Sequence, residues 1–161
     1  MKGYTENSII VEGNVKKIFN LSNNISKWPQ LFTEYEKVDI LEEKDGYIKF
    51  RLTKFPNQKG EVKSWVSERY IDKDNLTAKA KRLDPLYPFT YMHINWKYEV
   101  LPQNTGVLMK WIQEFELDEK CSWSSYRMES YLNHSTRIQM KAVKEAIEKE
   151  LAATSKEWNY D

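Results

Sequence analysis

Histidine and cysteine are nearly missing from this 161-residue chain, which holds two of the first and one of the second. The lone Cys121 excludes an internal disulfide and fits a reducing compartment. His93 and His134 have no cysteine or second histidine at ligand spacing, and a metal site needs three or four converging ligands, so neither metal nor cofactor is expected. Glycine is scarce at five residues, and no Gly-rich phosphate loop, CxxC, HExxH or GxSxG pattern occurs. No apolar run approaches the roughly 20 residues of a membrane-spanning helix, and the N-terminus offers only the short stretch Ile9 to Val11. A soluble, cytoplasmic protein without an export signal is the expectation. An excess of one charge is missing too: 25 basic residues face 24 acidic ones, so no long-range field attracts nucleic acid.

What the chain has in quantity is aromatic residues, 14% of the total, with six tryptophans and ten tyrosines. Buried indoles and phenols need partners for their N–H and O–H groups, a composition suited to a pocket wall that is apolar yet able to hydrogen-bond. The length fits one domain over residues 1–161, burying roughly two thirds of its unfolded surface.

Along the chain, "TENSIIVE" reads as a first strand ended by Gly13. Asn14 then caps a helix whose stripe is Val15, Ile18 and Phe19. In "ISKWPQLFTEY", Pro29 opens a second short helix and places Trp28 at a bend. Six further strand candidates follow at hairpin spacing, separated by "KDG", "PNQKG", "DKDN", "LDPLYP" and "PQNTG". From Ser124 or Ser125 to about Thr154 there is no Gly or Pro. Met128, Leu132, Ser135, Gln139 or Met140, Val143, Ile147 and Leu151 recur there at helical spacing, predicting one long helix. A seven-stranded curved antiparallel sheet around this helix, with two short helices after the first strand, is the expected α+β helix-grip architecture.

The stretch "EVKSWVSERYID", residues 61–72, has an unusual face for a strand. Counting by two, Lys63, Trp65, Ser67, Arg69 and Ile71 share a side that Glu61 joins at its start, which puts a guanidinium beside an indole. Taken alone, Arg69 fits either a cavity wall or a structural ion pair with Glu34, Glu36 or Glu68. Tyr35 and the tryptophans, taken alone, fit core packing, and Arg82 near the end of a Lys-rich strand fits a solvated side chain.

These segments in order, with "WPQLF", "FRLT", "SWVSER", "AKAKR", "PFTYMHINWKYE", "MKWIQEF" and "MESYLNHSTRIQMKAVKEAIE", resemble the bacterial aromatic polyketide aromatase/cyclases of the START-like helix-grip superfamily. The likeness extends to the N-terminal domain of the tetracenomycin aromatase/cyclase. The resemblance implies an enzyme that folds a poly-β-ketone, carried on an acyl carrier protein and made by a minimal polyketide synthase, inside a pocket. It then closes a first ring by aldol condensation and dehydrates it, joining C9 to C14 ahead of C7 to C12. The resemblance assigns Arg69 and Tyr35 as catalytic residues and Trp28, Trp65, Ser67, Arg82, Met92, Trp96 and Gln139 as substrate-binding residues. Two departures stand out: "LDPLYPF" is one residue longer than the family's usual turn, and Gln139 stands where a smaller Asn is expected. The competing reading is a non-catalytic carrier of a lipid, quinone or aromatic polyketide, which needs a cavity but no arranged donor. A monomer or a homodimer fits equally, and neither a nucleic acid nor a membrane is an expected partner.

Overall fold

The computed structural model describes the backbone of residues 1–158 and the side chains of residues 1–154. Strand β1 (Lys2–Glu12) is followed by helix α1 (Val15–Ser22), a 3-10 turn (Ile25–Lys27) and the one-turn helix α2 (Trp28–Leu31). Six strands come next: β2 (Tyr35–Lys44), β3 (Tyr47–Lys54), β4 (Ser64–Asp72), β5 (Thr77–Arg82), β6 (Phe89–Val100) and β7 (Gly106–Leu117). Helix α3 (Ser125–Trp158) ends the described chain. The sheet is antiparallel in the order β1-β7-β6-β5-β4-β3-β2, so each hairpin pairs neighbours and the first strand returns to lie beside the last.

Local sequence accounts for these boundaries. Asn14 accepts hydrogen bonds from the backbone N–H groups of Lys16 and Lys17, capping α1. Gly13 sits at φ +135°, where a Cβ would also meet Leu151 Cδ1 at 2.5 Å; only glycine lets β1 turn into α1 this close to α3. Ser124 Oγ accepts from Arg127 N–H and starts α3. The fourth strand begins at Ser64, not at Glu61 as the alternation suggests. Asn57 Oδ1 accepts from Lys59 and Glu61 N–H, folding residues 57–61 into a turn that keeps Glu61 and Val62 out of the ladder.

As an edge strand, β1 would expose unpaired backbone groups. Helix α3 covers it with polar side chains: Glu129 accepts from Tyr4 N–H, Glu148 from Glu12 N–H, and Lys144 Nζ donates to Ile10 O. The helix's apolar stripe of Met140, Val143 and Ile147 packs into one core with Val11, Ile18, Phe19, Val107 and Met109. A second cluster of Phe89, Met92, Phe115, Leu117 and Met128 lies toward the start of α3. A large hollow remains between helix and sheet.

Candidate active site: an aromatic cavity around a buried arginine

The hollow has a volume of about 790 Å³ and contains all nine side chains singled out in the sequence on its walls. Strand β4 contributes Trp65, Ser67 and Arg69 because alternate residues point the same way; Glu68 and Tyr70 face outward, where Glu68 meets Lys81 at 3.3 Å and accepts from Tyr47. Strands β5 and β6 add Arg82, Met92 and Trp96, α2 adds Trp28, the start of β2 adds Tyr35, and α3 adds Gln139.

Three indoles form the inner wall. Trp96 stacks on Trp111 at 4.1 Å and 3°, and Trp28 stacks on Trp96 at 5.7 Å. Trp28 keeps its place because it opens α2 immediately before Pro29 and because its indole N–H donates to Ser22 O at 3.0 Å. The Arg69 guanidinium lies over Trp96 at 4.1 Å and over Trp28 at 5.3 Å.

Arg69 is 1% exposed and meets no carboxylate. Glu34, one structural partner open to it in the sequence, pairs instead with Lys54 at 3.8 Å. Arg69 Nε and Nη2 donate to Asn23 Oδ1 at 3.0 and 2.9 Å, and Nη1 has no hydrogen-bond partner among the described residues. Burial without a counter-charge lowers its pKa to about 10, still cationic at neutral pH.

Tyr35 is enclosed by Trp28, Phe32 and Trp65 at ring separations of 6.2, 5.1 and 6.1 Å. Burial first, and then the neighbouring Glu34 carboxylate, hold its phenol well above the ordinary value of 10, so it is a proton donor near neutrality. Ser67 is buried, and its hydroxyl has no protein partner among the described residues.

Arg82 is half-buried, not solvated: it lies over Trp65 at 4.7 Å and donates from Nε to Pro85 O at 2.9 Å. Burial lowers its pKa from the usual arginine value. The lengthened connection after β5 thus serves as an anchor for Arg82, with Pro85, Tyr87 and Pro88 on the cavity wall. Gln139 lines the cavity, but its amide is engaged: Oε1 accepts from Thr33 N–H at 2.9 Å and Nε2 donates to Thr33 Oγ1 at 2.8 Å. It therefore ties α3 to the loop between Phe32 and Tyr35. Lys54, Val62, Lys63 and Tyr87 also line the cavity, Val62 and Tyr87 on its exposed side.

Sequence reasoning missed Asn23, Trp111 and Thr33. Asn23 and Thr33 are short polar residues in loops, and their pairings span 46 and 106 residues respectively, so no local pattern announces them. Trp111 had a usable signal, since it alternates inward with Met109 and Gln113 on β7.

A family model described as "Polyketide cyclase / dehydrase and lipid transport" matches residues 11–142. Two curated proteins named "Putative polyketide cyclase" are similar to this chain. One, from Streptomyces cyaneus, is 36% identical over 92% of this chain and 95% of its own length. The other, from Streptomyces halstedii, is 43% identical over 70% of this chain and all of its own length. Among solved structures, the Zhui aromatase/cyclase from Streptomyces sp. R1128 superposes with a TM-score of 0.75 at 18% identity, covering 93% of both chains. The di-domain StfQ of the steffimycin pathway gives 0.78 at 14% identity, over 94% of this chain and 53% of its own. At these identities the structures establish the shared helix-grip fold. The family model and the two curated relatives establish more: the chain belongs to the polyketide cyclase / dehydrase and lipid transport family.

Proposed function

We propose that this protein is an aromatase/cyclase that receives a poly-β-ketone from an acyl carrier protein, folds it in the aromatic cavity, and closes and dehydrates a first ring, C9 to C14. The observation that carries this reading is the cationic Arg69, held inside the cavity with no carboxylate to neutralise it. The methylene between two ketones is acidic enough for a weak base or a bound water to take its proton; the enolate left behind attacks a second carbonyl and produces an alkoxide, and fixed donors where oxygen gains charge stabilise both. Arg69 supplies a planar fork of donors and remains protonated, so it binds and stabilises oxyanions and does not act as the base. Tyr35, protonated and walled by rings, returns a proton to the alkoxide or to the departing hydroxyl. Ser67 orients a carbonyl.

The indoles of Trp28, Trp65 and Trp96, with Met92, bend a flexible chain into one conformer. Catalysis then comes largely from proximity and orientation. Arg82, over Trp65 near the entrance, and Lys63 place positive charge where the phosphate of the carrier's arm arrives. Lipid transport also falls under the family description. A carrier of a wholly apolar ligand gains nothing from a buried unpaired guanidinium, which costs stability and binds no apolar group.

Reconstitution with a minimal polyketide synthase tests the reading. Adding the protein should replace the spontaneous product mixture by one ring pattern, whereas an unchanged mixture would refute the assignment.

A further inference from the structure

Among the described residues, Arg69 is the one charged side chain wholly enclosed by the protein. Buried cations are ordinarily paired with a carboxylate. Here the two donor nitrogens Nε and Nη2 share a neutral acceptor, Asn23 Oδ1. The amide cannot turn freely, because its Nδ2 donates to Phe19 O and to Tyr98 Oη, both at 3.0 Å, and Tyr98 Oη in turn meets Ser22 Oγ at 2.7 Å. Asn23 also caps the C-terminus of α1, where backbone carbonyls carry partial negative charge. The cation thus rests on an amide dipole, a helix end and two indole faces, none of which bears a formal charge.

We propose that Asn23 is a positioning residue that fixes the Arg69 guanidinium while leaving its charge uncompensated, so that the cavity selects ligands with an anionic oxygen over neutral ligands of the same shape. A carboxylate at position 23 would accept the same two hydrogen bonds and cancel the field. An asparagine accepts them and preserves it for an enolate or phenolate. The consequence for turnover rests on the cyclase reading; the binding preference does not.

The test is a tryptophan-fluorescence titration of the full chain with 2-naphthoate and its neutral counterpart 2-naphthamide, near neutral pH. Wild type should bind the naphthoate about tenfold more tightly, the factor that 1.4 kcal/mol of extra attraction produces. Asn23→Asp should bring the ratio to about one while leaving naphthamide binding within about twofold, since the donors it loses, to Phe19 O and Tyr98 Oη, do not face the ligand and the added charge acts on the anion alone. Tyr98→Phe removes one of the two groups that orient the amide. It should lower the ratio severalfold, and it decides the matter if Asn23→Asp does not fold. Equal binding of both probes by wild type, no binding of either at millimolar concentration, or a ratio that survives in both variants would overturn the proposal. If the ratios behave as expected while wild type leaves the spontaneous polyketide products unchanged, the cyclase reading fails and the role of Asn23 stands. The reverse pattern removes Asn23 and keeps the cyclase.

Discussion

At the scale of single residues, the physical question is how a guanidinium only 1% exposed stays charged. Desolvation opposes the charge of Arg69; the acceptor Asn23 and the faces of Trp96 and Trp28 support it. Removing the neutral member of the pair should therefore hurt folding more than removing the charged one. Asn23→Ala strands a buried cation and should cost about 3 kcal/mol, whereas Arg69→Met leaves only an amide unpaired and should cost about 1 kcal/mol or less. Urea denaturation of both variants checks the order. Tyr35 makes the complementary case. Its hydroxyl lies beside the Glu34 carboxylate, so Tyr35→Phe removes at most one hydrogen bond and should cost about 1 kcal/mol in urea unfolding. The same change should lower dehydration about a hundredfold and let the cyclised alcohol accumulate, as chromatography of a reconstituted reaction would show.

At the scale of elements, β4 and α3 build the site by two different periodicities. The inward face of β4 was legible in the sequence because a strand alternates strictly, and the mixed face of Trp65, Ser67 and Arg69 is a cavity wall. The stripe of α3 was legible for the same kind of reason, and Met140, Val143 and Ile147 are buried as its spacing predicts. The start of β4 was not legible. "EVKSWV" continues the alternation, and only the side-chain turn around Asn57 takes Glu61 and Val62 out of it. Gln139 shows a further limit: spacing left the stripe to Gln139 or Met140 and the family resemblance put Gln139 in the pocket, but its two bonds to Thr33 depend on where α2 ends. That tether positions the loop leading into Tyr35. Gln139→Ala should cost about 1 to 3 kcal/mol in thermal or urea unfolding and should lower kcat more than it raises KM, because Tyr35 loses its placement.

For the whole molecule, the sheet curves around a hollow that its aromatic content was suited to line, and the near-zero net charge leaves recognition to local features. The order of elements was readable from turn signals and periodicity. The pairing of β1 with β7, from Lys2 opposite Glu116 to Glu12 opposite Gly106, and the coverage of that edge by α3 came from contacts far apart in the sequence. What makes this hollow more than a container is its fixed, unneutralised cation. The most direct measurement is the product distribution of a purified minimal polyketide synthase supplied with wild type or with Arg69→Met, both verified as folded. The account predicts a single dominant first-ring pattern with wild type and the spontaneous mixture with the variant. An Arg69→Met protein that directs cyclisation as well as wild type would contradict it.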